Sequence, residues 1–193
     1  MLYEAKDYAS LLGLPGFSNQ LLENHFKLYQ GYVKNTNAVS DLLKTLDPTS
    51  PQYAELKRRF GWEFNGMRLH ELYFGNMTQE PQTNDVENSL HKKLVEDFGA
   101  YETWEKDFIA TASMRGIGWA ILYYDPQAKR LFNVWINEHD LGHLAGGVPL
   151  LILDVFEHAY MLDYGVNRAD YIKAFFNVID WKVVSARFAE ASA

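Results

Sequence analysis

The sequence predicts an α+β protein. Two long stretches with helical periodicity come first, three short aromatic and branched runs with strand texture follow, and helical patterning returns at the end. Ser18 is a fitting N-cap, after which Leu21, Leu22, His25, Tyr29 and Tyr32 recur at three- and four-residue steps. A first helix is therefore expected to run to about Leu46 and break at the Asp47–Pro48 turn. A second is expected from about Gln52 to Phe74, with Tyr53, Leu56, Phe60, Met67, His70 and Phe74 along one stripe. Two long helices with so short a connection should pack antiparallel.

The polar, proline-bearing stretch NMTQEPQTND lacks periodicity and reads as a linker. It divides the chain into a helical hairpin domain, residues 1–80, and a mixed domain, residues 81–193, with the candidate site between them. Asp85 is expected to cap a short helix ending near Gly99, and another helix is expected from about Tyr101 to Ser113. The runs IGWAILYYD and RLFNVWIN flank Asp125–Pro126, a hairpin signature, and VPLLILD supplies a third strand. These three make a small antiparallel sheet, and helical patterns resume from Phe156 with an interruption at Gly165.

Composition narrows the chemistry. With 193 residues, 48% hydrophobic and 15% aromatic, the chain can bury one large domain or two small ones that share a core. No apolar run approaches the length of a membrane span. The opening MLYEAKDYAS carries acids and no apolar core, so no secretory signal is expected and a cytoplasmic protein is. A net charge of −7 argues against nucleic acid as a partner, since phosphates are neutralised by Lys and Arg. A small anion is still admissible, because the local field at a site can oppose the net charge. There is no cysteine, which excludes disulfides, thiolate zinc sites, iron–sulfur clusters and a cysteine nucleophile. Any metal must be held by nitrogen and oxygen, for which six histidines are available.

Asp154 closes the apolar run VPLLIL, where an unpaired carboxylate would be costly. His158 follows four residues later, one helical turn away and on the same side if a helix starts there. Taken singly, such an aspartate is as often a helix cap. A lone helical histidine, including His25 or His70 on its apolar stripe, is more often a packed core residue than a ligand. Together, two inward histidines on facing helices and an Asp/His pair at a strand end can converge. Three imidazoles and a carboxylate with an open position suit iron, manganese or zinc, and ligand softness does not choose among them. His91, beside two lysines, reads as a solvated helix residue, and His143 as an ordinary loop histidine.

The segment DVFEHAYMLDYGVNRADYIKAFFNVIDW resembles the signature of iron/manganese superoxide dismutases, D-x-W-E-H-A-Y near Y-x-x-x-R-x-D-Y and N-V-x-x-W. GIGWAILYYD is similar to that family's G-x-G-W strand, LPGFSNQLLENHFKLYQGYVKNTN to its first helix and FNGMRLHELYFGN to its second ligand helix. The matches fall in family order across nearly the whole chain. The resemblance implies one iron or manganese ion per subunit, held by His25, His70, Asp154 and His158. It implies Tyr32 as the gateway phenol, Trp119 as a cavity wall and Arg168 as a basic residue near the substrate funnel; for an anion to approach a chain of charge −7, a local positive rim near Arg168 and Lys27 is expected. It also implies a homodimer or dimer of dimers, in which Glu157 hydrogen-bonds a ligand histidine of the neighbouring subunit. The implied substrate is superoxide, dismuted to dioxygen and hydrogen peroxide; the alternative is a non-catalytic scaffold of the same fold, against which the complete ligand set speaks.

Departures from the family pattern are specific. Leu28 stands where a histidine is usual, Met161 where a second tyrosine is, Phe156 for a tryptophan and Ile121 for another. Leu28 and Met161 together look like an apolar replacement of a pair hydrogen-bonded across the dimer. The glutamine that family members place beside metal-bound solvent is missing from both its usual places, Gly66 and the loop NEHDLGHLAGG. His139 is the first choice for that role, with Glu138 its rival.

Overall fold

The computed structural model describes residues 2–193. Helix α1 (Asn19–Leu43) starts where Ser18 Oγ accepts the Leu21 amide, and α2 (Pro51–Phe74) starts where Ser50 Oγ accepts that of Tyr53, with Pro51 in the first turn. Helix α1 ends three residues short of Leu46, because Lys44 and Thr45 fold back on Asp41 and Leu42 and Asp47 organises the turn through Thr49. The two helices form an antiparallel hairpin whose facing stripes carry Leu21, Leu22, His25, Tyr29 and Val33 against Met67, His70 and Phe74.

The expected linker begins as core. Asn76 is fully buried, donates to the Tyr73 and Ile152 carbonyls and accepts the Ile152 amide, while Met77 bridges to Ile179. Polar composition concealed this, since an amide can replace a missing strand neighbour on both its faces. Helix α3 (Ser89–Phe98) is capped by Asn88, which accepts the Leu90 amide; Asp85 instead holds the preceding turn through the Glu87 amide. Helix α4 (Tyr101–Ala112) leads into the sheet.

Strands β1 (Gly118–Asp125), β2 (Arg130–Asn137) and β3 (Val148–Asp154) form an antiparallel sheet in the order β2-β1-β3. The central β1 is buried along nearly its whole length, so it reads as continuous apolar sequence rather than as an alternation. Its register with β3 sets Trp119 opposite Asp154. After β3 the chain does not enter an α-helix at once, as the four-residue spacing suggested. Asp154 Oδ1 accepts the Phe156 amide at 2.8 Å, a local bond that bends the chain into a 3-10 turn, Glu157–Ala159. Helices α5 (Met161–Tyr164), α6 (Arg168–Phe176) and α7 (Trp181–Ala191) follow, and one apolar cluster joins the hairpin, the sheet and these helices. Among the described residues no helix is long and apolar enough to cross a membrane.

Gly118 opens β1 at φ +143°, where a Cβ would overlap the Ile136 carbonyl, and its own carbonyl accepts the Val155 amide. Gly118→Ala is expected to lower stability by roughly 3 kcal/mol through this strain, measured by urea unfolding. A change below 0.5 kcal/mol would show that the strand start moves freely.

Candidate metal centre

Four side chains from four elements meet where the helical hairpin rests on the end of the sheet. His25 comes from the second turn of α1, His70 from α2, Asp154 from the last residue of β3, and His158 from the 3-10 turn. Their ligand atoms all lie within 4.8 Å of one another. Asp154 Oδ2 is the hub, 3.2 Å from His25 Nε2, 3.3 Å from His158 Nε2 and 3.6 Å from His70 Nε2. The first three residues named are buried, whereas the His158 side chain keeps 29% of its surface exposed and marks the open side.

The protonation pattern tests whether these groups fit a cation. His70 Nδ1–H donates to the Gly66 carbonyl, so a neutral His70 has a bare lone pair on Nε2. That nitrogen is buried, has no hydrogen-bond partner, and faces the Asp154 carboxylate. Burial pushes the His70 and His25 imidazoles below their ordinary range, so neither supplies the missing charge by protonation. Burial would raise the Asp154 carboxyl, but His158 and His25 outweigh it and hold it well below the usual carboxylate range. An imidazole lone pair against a buried carboxylate oxygen is repulsive, and a cation between them removes the repulsion. The donor set fits a metal ion.

Further contacts fix Asp154. Tyr171 Oη donates to its carbonyl at 2.7 Å, and Tyr73 and Tyr171 share a hydrogen bond of 3.0 Å. Its Oδ1 is engaged by the Phe156 amide, which leaves Oδ2 for the cluster. Above the donors, Trp119 Nε1–H donates to His139 Nδ1 at 3.0 Å. Neutral His139 therefore carries its hydrogen on Nε2 and donates it to Tyr32 Oη at 2.8 Å. The Tyr32 hydroxyl hydrogen makes no other bond among the described residues, and its ring stacks on His70 at 5.2 Å. Burial, then the charges of Asp154 and Glu63, push the Tyr32 phenol up, while burial pushes His139 down to about 4. A Cβ at Gly66 would lie 2.6 Å from the Tyr32 ring, so only glycine lets that ring rest against α2.

The remaining sequence candidates divide. Glu138 turns outward in a left-handed conformation (φ +49°) and accepts Trp62 Nε1–H, so it is His139 that contacts Tyr32. Trp119 is fully buried and meets His70 edge-on at 5.0 Å. Arg168 donates to the Met114 and Gly116 carbonyls and to Tyr160 Oη, and Glu157 lies exposed beside His158. His91 is not a solvated residue: it is half-buried and stacks on Tyr101 at 4.9 Å. His143 is not an ordinary loop histidine either, for it bonds Tyr123 Oη and the His139 carbonyl. Sequence reasoning missed Trp62, 4.6 Å from the His139 ring, although positions 62, 66 and 70 share one helical face. It also assigned no role to Phe156, whose ring stacks on His139 at 4.7 Å and on His158 at 5.1 Å.

Residues 86–187 match the family model described as iron/manganese superoxide dismutases, C-terminal domain. Over 180 residues, 92% of this chain and 89% of the other, the sequence is 39% identical to a Haloferax volcanii protein named superoxide dismutase [Mn] 2. It is 38% identical over 199 residues to a Cupriavidus metallidurans protein named superoxide dismutase [Fe], covering 99% and 98% of the two chains. An Aquifex pyrophilus protein, also named superoxide dismutase [Fe], is 36% identical over 97% of this chain and 92% of its own.

Because folding depresses the His139 imidazole from 6.5 to about 4, the unfolded chain takes up that proton first. The stability held by neutral His139 is complete above pH 6.5 and falls as pH drops toward 4. Between pH 7.5 and 5, the native protein is expected to lose about 2 kcal/mol more stability than a His139→Gln variant, read from urea unfolding at both pH values. Equal losses would mean that His139 is not held neutral by its burial.

Proposed function

The chain belongs to the iron/manganese superoxide dismutase family, and from that premise we propose that it converts superoxide to dioxygen and hydrogen peroxide at one iron or manganese ion held by His25, His70, Asp154 and His158. The observation that carries this reading is the bare Nε2 of His70 facing the buried Asp154 carboxylate, an arrangement that a cation completes. When bound, the metal supplies one-electron chemistry, taking an electron from one superoxide and giving it to the next. Per cycle, two superoxide anions and two protons give one dioxygen and one hydrogen peroxide.

The protein's part is geometry and protons. Asp154 contributes the only anionic donor of the set, and the hydrogen bonds to its other oxygen and carbonyl keep Oδ2 pointed at the imidazoles. Tyr32 stays a neutral phenol because burial disfavours its anion. Its oxygen is held by His139 Nε2–H, so its hydrogen is free to be given toward the open side of the cluster. Trp119 keeps His139 in the tautomer that does this. Arg168 is assigned to the approach, where its charge attracts an anion to a protein of net charge −7. Glu138 is assigned to the rim, where it steadies Trp62.

The proposal includes a division at residues 1–80 and 81–193, each supplying two of the four donors. It includes a dimer, or a dimer of dimers, with Glu157 reaching a ligand histidine of the partner. Leu28 and Met161, 37% and 47% exposed in the single chain, are the apolar residues assigned to that interface. A cytoplasmic location is part of the same proposal, and cell fractionation checks it.

Asp154→Ala is expected to abolish stable metal retention and reduce dismutation more than a hundredfold, measured by metal analysis and a superoxide decay assay. Full activity in that variant would remove the site assignment. Met161→Glu is expected to weaken association at least tenfold in analytical ultracentrifugation, because it sets a charge at the proposed interface. Unchanged association would place the interface elsewhere.

A further inference from the structure

His139 is delivered by the loop between β2 and β3, and much of that loop is exposed. At its upstream end the loop is tied by the Glu138 amide to the Ile117 carbonyl at 3.3 Å and by the paired amides and carbonyls of Asn137 and Leu141. At its downstream end the tie is a side chain. His143 Nε2 lies 2.9 Å from the His139 carbonyl oxygen, which can only accept, so this nitrogen carries the hydrogen. His143 Nδ1 is then the acceptor, and Tyr123 Oη donates to it at 2.7 Å. Tyr123 is buried on β1, the same strand that bears Trp119, and the Asn65 side-chain amide of α2 lies 3.4 Å from His143 Nε2.

Strand β1 therefore grips His139 twice. Trp119 fixes its ring, and Tyr123, through His143, fixes its backbone. Both grips are needed for one end: the ring's Nε2–H must reach Tyr32 Oη at 2.8 Å, and a hydrogen bond weakens steeply as distance and angle drift. Without the His143 tie, the His139 carbonyl would keep only the indirect restraint of the Asn137–Leu141 pair, in a segment bent by Glu138 (φ +49°) and Gly142 (φ +107°).

We propose that His143 is a positioning residue for dismutation, acting through His139 by tying its backbone carbonyl, across the His143 ring, to the Tyr123 hydroxyl. This rests on the reading of His139 as the group that orients Tyr32. Its role is mechanical and directional: it accepts from a fixed phenol on the sheet and donates to the backbone carbonyl of His139.

The test uses metal-loaded protein in five forms besides the native one: His143→Ala, His143→Gln, Tyr123→Phe, His139→Ala and the His139→Ala/His143→Ala double variant. Metal content, the midpoint potential of the bound metal and the dismutation rate are measured on each. His143→Ala is expected to keep its metal, lose about tenfold in rate, the factor that one lost hydrogen bond carries, and shift the potential in the same direction as His139→Ala. His143→Gln should recover most of the rate, since an amide can accept from Tyr123 and donate to the His139 carbonyl. Tyr123→Phe, which keeps the buried ring, should give a smaller shift of the same sign. In the His139→Ala background, adding His143→Ala should change the rate less than twofold, because the residue through which it acts is gone. An equal further loss in that background, or unchanged rate and potential in both His143→Ala and Tyr123→Phe, would overturn the positioning role. Unchanged rate and potential in His139→Ala itself would instead overturn the His139 reading on which it rests.

Discussion

One carboxylate oxygen organises this molecule. Asp154 Oδ2 is buried within 3.6 Å of three imidazole nitrogens, one of which has no hydrogen to offer it. Such a group is tolerable only if its charge is answered, and the fold is arranged around that demand. The strand that ends in Asp154 pairs with the strand bearing Trp119, the hairpin places a histidine from each of its helices on the same oxygen, and the chain bends sharply to return His158. The residue's other acceptors are already spent on the Phe156 amide and the Tyr171 hydroxyl. What is left over points one way, toward the donors, and an ion there completes a balance that the polypeptide alone leaves open.

The same economy governs the layer above the cluster. The family's usual glutamine has an acceptor at one end and a donor at the other. Neutral His139 reproduces that polarity, accepting from Trp119 on Nδ1 and donating to Tyr32 from Nε2. An imidazole can take a proton where an amide cannot, and burial, which pushes the His139 imidazole down, favours its neutral form. Gly66 belongs to the same arrangement. With no side chain there, the Tyr32 ring lies against α2 and brings its hydroxyl to His139, so the empty position on one helix and the histidine on a distant loop are two halves of one solution.

The helices and strands were legible because each is announced locally, by caps such as Ser18 and by apolar stripes at three- and four-residue spacing, whereas each of the four candidate donors taken singly read as readily as a core residue or a cap. It was the resemblance to a family that set His25, His70, Asp154 and His158 together as one ligand set. What stayed hidden depends on contacts that spacing does not encode. The 3-10 turn before His158 follows from an Asp154–Phe156 bond that competes with helix, and the buried start of the linker follows from Asn76 pairing with a strand 76 residues away. His91 looked solvated and His143 an ordinary loop residue because their sequence neighbours are polar or glycine-rich, yet Tyr101 and Tyr123 take them in from outside the segment. A polar segment says little about one histidine within it when an aromatic partner lies elsewhere in the chain.

An acidic protein that handles an anion must present positive charge locally, and the partners of its cations decide how much of that charge is felt. Arg59 stacks on Trp62 at 3.9 Å, close to Tyr32 and His139, but it also binds the buried Glu63 carboxylate at 2.7 Å, which cancels most of its field beyond the immediate contact. Arg168 is held just as firmly, by the Met114 and Gly116 carbonyls and the Tyr160 hydroxyl, yet each of these partners is neutral. A guanidinium fixed by dipoles keeps its full formal charge, whereas one fixed by a carboxylate does not. The two arginines therefore divide the work. Arg59 packs against the Trp62 ring with its charge paired, and Arg168, held by neutral partners alone, is the one proposed to attract an approaching anion.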